Sequence, residues 1–215
     1  MATIPRDCVV GGITIRMREE FLARKVASFY AGLFLWSVVD HEIYVRLIAV
    51  TNKKRDTLQF KSPGGDAVAY EDPRETVARE LREEVLRPNS KVEVPEEAIS
   101  QVYSVLKPDD RLKEFGWRHE KLWFGINESL LINFRGDMHF RGLPVRDGDD
   151  VVSPSLLLPL SGAARVLYKT HIPAMAALVW HLAAINSEMF SIIPERLLLW
   201  AQSNYAQVEG GNYDG

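Results

Sequence analysis

Three glutamates, Glu80, Glu83 and Glu84, stand at positions i, i+3 and i+4 of one stretch. If that stretch is helical, their carboxylates converge on one face, while Val77, Ala78, Leu81 and Val85 form an apolar side for burial. Crowded like charges repel by a few tenths of a kcal/mol per pair unless a cation sits among them. A hard divalent ion answers that need, because magnesium prefers oxygen ligands and is commonly held by a few carboxylates together with phosphate oxygens. Gly64 and Gly65, ahead of the helix, let the backbone approach such an ion, and a main-chain carbonyl then adds a ligand. Taken alone, three glutamates on a helix are most often a solvated face, with Arg79 and Arg82 as surface ion partners.

The elements around this cluster follow from patterning. Residues 27–50 are rich in Val, Ile, Phe, Tyr and Leu, broken at Asp40, His41 and Glu42, which predicts two strands joined by a tight turn. Ile43, Val45, Leu47 and Ala49 share one face, and Tyr44, Ile48 and Val50 are apolar too, so the second strand is expected to be covered on both sides. The helix is placed over residues 73–86, with Asp72 as its N-cap and Pro73 at the first position. Residues 99–107, 120–126 and 155–160 read as further strands, and residues 172–186 and 194–206 as closing helices. Residues 53–56 form a charged connection, residues 108–119 a polar loop and residues 142–150 an acidic one. The expectation is one α/β domain over residues 1–201, with an N-terminal strand extension, C-terminal helices and a mixed sheet between helices, followed by a polar tail at 202–215.

Gly65, Glu71, Arg79, Glu80, Leu81, Glu83 and Glu84 fit G-x5-E-x7-R-E-U-x-E-E-x-G-U, where U is a bulky aliphatic residue. Six invariant positions coincide by chance on the order of 10⁻⁷ per register at ordinary residue usage, which decides against a merely solvated helix face. The chain thereby resembles the Nudix hydrolases, and Phe60, Pro63 and Gly64 resemble that family's approach to the motif. The resemblance rests mainly on residues 27–126. It implies an α/β/α sandwich, with metal held by Glu80, Glu83, Glu84 and the carbonyl of Gly65, and with Glu71 and Arg79 bracing the loop against the helix. The implied cofactor is Mg2+, with Mn2+ as its substitute, and the implied chemistry is attack of a metal-bound water on a pyrophosphate. Glu83 and Glu84 are the first candidates for general base, with Glu114, Glu120, Asp147, Asp149 and Asp150 outside the motif. Leu86 and Arg87 depart from the pattern's Gly and aliphatic residue. A left-handed glycine cap is therefore not expected, and Pro88 is expected to end the helix.

Trp117, Arg118, His119 and Glu120 are the candidates for substrate contact, since an indole stacks on a base and a guanidinium grips phosphate. Trp123 lies in an apolar strand and reads as core. The favoured substrate is a nucleoside diphosphate derivative such as ADP-ribose or a nucleotide sugar, with nucleoside triphosphates next and a non-hydrolytic nucleotide sensor as the other class. The 26 Lys and Arg against 29 Asp and Glu exclude a polyanion-coating protein, and residues 171–215 carry Arg196 as their only Lys or Arg, which argues against DNA as a partner. An isoprenoid diphosphate isomerase would need a catalytic cysteine, and Cys8 lies far from the motif. One cysteine and no basic, apolar leader lead to the expectation of a cytoplasmic protein, and no apolar stretch reaches the roughly 20 residues of a membrane span. A homodimer joined through the C-terminal helices is compatible with these readings. His41, His119, His139, His171 and His181 show no zinc-ligand spacing.

Overall fold

The computed structural model describes residues 7–52, 57–147, 149–185 and 187–209. A hairpin of β1 (Cys8–Val10) and β2 (Ile13–Ile15) and a short helix α1 (Glu19–Ala23) precede the main sheet. The long strands β3 (Val26–Val39) and β4 (Glu42–Asn52) follow. They turn over through Asp40 and His41, both at positive φ, the conformation that a two-residue hairpin with matching twist requires. Then come β5 (Thr57–Lys61), β6 (Gly64–Asp66) and α2 (Pro73–Glu80), which passes directly into one π turn at Leu81–Val85. Strands β7 (Ile99–Pro108), β8 (Arg118–Asn127), β9 (Val145–Asp147), β10 (Asp150–Val152) and β11 (Leu156–Pro159) complete the sheet. Helices α3 (Leu160–Val166), α4 (Ile172–Ile185), α5 (Ser187–Ile192) and α6 (Glu195–Glu209) close the fold.

The sheet is mixed, in the order β7, β8, β3, β4, β10, β9, with β3 and β8 parallel and the other pairs antiparallel. Strand β3 is apolar on both sides because both sides are covered. Phe29, Leu33 and Leu35 pack with Val77, Leu81 and Val85 of the α2 segment. Phe34 and Trp36 pack with Val45, Leu47 and the Met175, Leu178 and Leu182 of α4. The architecture is an α/β/α sandwich. Among the described residues, no helix is long and apolar enough to cross a membrane.

One irregularity creates the site. Strands β3 and β4 pair only from Leu35 opposite Arg46 to Val39 opposite Glu42. Beyond that they part, and β5 pairs with β4 while β6 pairs with β3, Gly64 lying opposite Gly32. The chain crosses the split through Ser62 and Pro63. Gly64 sits there at φ +148, where a Cβ would lie 2.5 Å from the Ala31 carbonyl oxygen, so no side chain is admitted.

Several elements differ from expectation. The π turn widens the helix end, and α3, the β9–β10 hairpin and α1 are additional. The sheet takes in residues 118 and 119, which shortens the loop expected at 108–119. Helix α6 runs past residue 202 to Glu209, where a tail was expected. Ser203 and Asn204 bond back to the Leu199 and Trp200 carbonyls, so these polar residues sustain the helix. Residues 53–56 and 210–215 lie outside the described residues.

Candidate active site

The helix start is fixed locally. Asp72 accepts from the Arg74 and Glu75 amides at 2.8 and 2.9 Å, and Glu75 reaches back to the Asp72 amide at 2.8 Å. This capping box satisfies donors that the helix itself leaves orphaned, and Pro73 supplies a preset φ. Arg18 clamps the box from outside through Glu75 at 2.6 Å and Asp72 at 3.2 Å.

Arg79 is the hub of the site. Its Nε donates to Glu71 Oε1 at 2.9 Å and its Nη2 to the Asp66 carbonyl at 2.9 Å. Its Nη1 donates to Glu80 Oε1 at 2.6 Å and to Glu83 Oε2 at 2.9 Å. Glu71 also accepts from Thr76 Oγ1 and the Val68 amide. Burial pushes the Glu71 carboxyl up, but the bonds from Arg79, Thr76 and Val68 outweigh it and hold the group below the usual carboxylate range. Desolvation likewise works against charge on Arg79, and Glu71, Glu80 and Glu83 together raise its pKa above the ordinary value.

The three glutamates line one cleft but face different partners. Glu80 is buried, its carboxylate lying against the Cα of Gly65, where an added Cβ would come within 2.3 Å of Oε1. Glu84 Oε2 accepts from the Gly64 amide at 2.7 Å. Glu83 points outward, with 57% of its side chain exposed. The ideal-helix expectation of three convergent carboxylates is corrected here. A π turn bonds i to i+5 and winds less per residue, so Glu83 rotates away while Glu84 stays aligned with Glu80. Among the described residues, no three His, Cys, Asp or Glu groups stand close enough to hold a metal ion, and the cation between Glu80 and Glu83 is the Arg79 guanidinium. The donor set nevertheless fits a hard divalent ion: carboxylates of Glu80, Glu83 and Glu84 and the Gly65 carbonyl are oxygen only, on the wall of an open cleft.

That cleft measures about 530 Å³ and is lined by Gly64, Gly65, Asp66, Arg79 and the three glutamates. Arg141, Val145, Arg146 and Val152 complete its lining. The volume is within the range of small-molecule sites. Arg141 and Arg146 went unmarked in sequence, because no spacing rule links a basic residue to a motif so distant along the chain.

Beneath the glycines, Ser62 Oγ lies 2.8 Å from His171 Nδ1 and accepts from Trp123 Nε1 at 3.2 Å. The loop is thereby tied to the start of α4. Burial, then the charges of Glu84 and Glu80, push the nearby Tyr30 phenol well above its usual pKa, so it stays neutral.

The expected substrate contacts are not gathered at this cleft. Trp117 is core: Gly116, at φ +73, turns the chain so that the indole packs inward, 8% exposed. Glu120 is buried and paired with Arg24 at 2.7 Å. Arg118 opens β8 on the surface, its amide donating to the Lys25 carbonyl. His119 is half-buried beside Ser28 Oγ at 2.8 Å, and burial lowers its pKa. Trp123 is core, as expected. Of the acids considered as base outside the motif, Glu114 is on an exposed turn. Asp149 and Asp150 belong to the β9–β10 hairpin, and the Asp147 side chain lies outside the description.

No family model matches the chain, and no curated protein sequence matches it. Solved structures resemble it in overall fold. The Nudix domain of Shewanella oneidensis NrtR, complexed with ADP ribose, is 18% identical, with a TM-score of 0.48 over 77% of this chain and 99% of that one. A C. elegans Ap4A hydrolase binary complex is 14% identical, with a TM-score of 0.47 over 74% and 99%. A MutT Nudix hydrolase from Burkholderia pseudomallei is 15% identical, with a TM-score of 0.46 over 70% and 97%. The likeness is one of fold.

Proposed function

We propose that this chain is a Nudix-type pyrophosphohydrolase that cleaves the diphosphate of a nucleoside diphosphate derivative, of the ADP-ribose or nucleotide-sugar kind, with Mg2+ as cofactor and Mn2+ as its substitute. The observation that carries the reading is the Arg79 hub, which ties Glu71, Glu80, Glu83 and the Asp66 carbonyl into one wall of the cleft. Every motif residue thereby has work: Glu71 and Arg79 brace, Gly65 makes room for the Glu80 carboxylate, and Glu84 is oriented by the Gly64 amide.

Glu80, Glu83, Glu84 and the Gly65 carbonyl would hold the divalent ions. When bound, those ions offset phosphate charge and lower the pKa of water. Glu83 is our choice of general base. It is the most exposed of the three, and among the described residues its Oε1 carries no protein hydrogen bond, so that atom is free to take a proton from attacking water. The products would be a nucleoside monophosphate and a second phosphorylated fragment. A cytoplasmic location and a homodimer go with this reading, the exposed Trp180, Phe190 and Leu199 of the C-terminal helices favouring the dimer, which light scattering tests.

One observation favours a second reading, nucleotide binding without turnover: Arg79 already neutralises Glu80 and Glu83. ADP-ribose, nucleotide sugars, dinucleoside polyphosphates and nucleoside triphosphates, each incubated with magnesium beside a Glu83→Gln control, separate the two. We expect hydrolysis of at least one compound by the native protein alone. Equal survival of all of them with both proteins, in the presence of measurable binding, would leave the sensor.

A further inference from the structure

The end of the motif helix delivers a second cation to the cleft. Leu86 leaves the π turn extended, at φ −85 and ψ 156, and forms an antiparallel bridge with Phe140. The Arg141 amide donates to the Val85 carbonyl at 3.0 Å and the Arg87 amide to the His139 carbonyl at 2.8 Å, so residues 139–141 are laced to the helix end. Leu86 and Phe140 are both buried, and the Arg46 guanidinium lies 3.4 Å over the Phe140 ring while pairing with Glu128 at 2.7 Å. A glycine in the left-handed conformation at position 86 would not present this edge; the leucine does.

What the edge positions is Arg141. Its Nη2 donates to the Arg82 carbonyl at 3.2 Å, using one of the five N–H donors of a guanidinium. Its Nε is buried and has no hydrogen-bond partner, and among the described residues no carboxylate pairs with the side chain. A buried charged donor left without an acceptor is costly, and this one belongs to a residue that lines the cleft together with Gly64, Gly65 and the glutamates. An oxyanion entering the cleft would meet the other donors of the same guanidinium, of which one alone is engaged.

We propose that Arg141 binds the non-bridging oxygens of the substrate's diphosphate beside the glutamates, with Arg146 of β9 as an outer contact. The proposal rests on the pyrophosphohydrolase reading and deepens it. The planar guanidinium fork suits paired phosphate oxygens, whereas a lysine supplies a point charge only. Arg141 thus selects ligands with two adjacent charged phosphates over monophosphates and carboxylates.

The test is calorimetric titration with α,β-methylene-ADP, a diphosphate resistant to hydrolysis, in magnesium, on the full chain. Arg141→Gln is expected to weaken binding roughly tenfold or more, as loss of a charge-assisted bond does, and Arg146→Gln by about threefold or less. Affinity of Arg141→Gln within about twofold of the native protein overturns the proposal and leaves the hydrolase reading standing. Failure of the native protein to bind the diphosphate sinks both. If Arg141→Gln melts too early to titrate, Arg141→Lys decides: weaker binding is expected because charge returns without the fork, and unchanged affinity overturns the assignment.

Discussion

Replacing Gly65 with alanine places a methyl carbon where the Glu80 carboxylate lies, 2.3 Å from Oε1 and 2.8 Å from Cδ. To regain ordinary separation the carboxylate must withdraw by roughly 1 Å. It is not free to do so, because Oε1 accepts from Arg79 Nη1 at 2.6 Å and the side chain is only 9% exposed. Either that charge-assisted bond breaks, at about 1.5–3 kcal/mol, or the guanidinium follows and pulls on Glu71 and Glu83. For a chain of this size, such a loss lowers Tm by roughly 6 °C. The kinetic consequence is larger: a misplacement of about 1 Å costs on the order of 100-fold, or about 2.7 kcal/mol of barrier. Gly142→Ala is the matched control, since a Cβ there meets nothing within 4 Å. Thermal melting and kcat on whichever diphosphate the screen identifies are the two readouts. Pairing Gly65→Ala with Glu80→Asp should cost less than the sum of the single changes, because the shorter acid vacates the space. Gly65→Ala melting and turning over like Gly142→Ala would refute the steric argument.

Three further outcomes follow from the same structure. Burial, with Lys61 and Lys121 adding to it, takes His171 down to about 3, so the stability held above its unfolded value near 6.5 is lost as pH falls below that value. Between pH 6.5 and 5 this amounts to about 2 kcal/mol; urea unfolding at pH 7.5 and 5 should show that loss in the native protein and not in His171→Asn, and parallel slopes refute it. Glu71→Gln should destabilise by about 2 kcal/mol at neutral pH by unbalancing Arg79. Because the Glu71 pKa is depressed, that contribution is present above about 4.3 and fades as pH falls through its lower folded value, which stability curves of native protein and variant would show as convergence in acid. Leu86→Ala should cost about 3 kcal/mol through the cavity it leaves and also weaken diphosphate binding. Leu47→Ala, equally buried on the other face, should match the stability loss with binding intact.

Features set by neighbours in sequence were readable without coordinates. The Asp72 and Pro73 helix start, the turn at Asp40 and His41, the apolar strands and the core position of Trp123 all follow from caps, turn preference and periodicity acting over a few residues. The motif likewise named residues of the cleft. Arg141 and Arg146 were hidden because they arrive through pairings with residues far along the chain. Trp117 misled because its flanks are polar, while its burial depends on the turn at Gly116. Glu120 and Glu128 are buried charges met by Arg24, at the end of α1, and Arg46, on β4, both far along the chain. The split between β3 and β4 was invisible for a related reason: both strands are mainly apolar along their length, and the partner change lies in the loop that crosses between them.

The departure at Leu86 shows how a motif exception becomes structure. A glycine there would end the helix in the left-handed conformation and leave its last carbonyls to local caps. Leucine avoids that conformation and gains by burial, so the chain turns extended to place its side chain in the core against Phe140. The same choice draws the Leu86 amide to the Leu81 carbonyl at 2.9 Å, which is the i to i+5 bond that makes the last turn a π turn. That turn leaves Glu83 exposed to water, and the extended edge beside it brings Arg141 to the same cleft. One buried side chain therefore sets both the exposure of the acid chosen as base and the placement of the cation proposed to meet the phosphates.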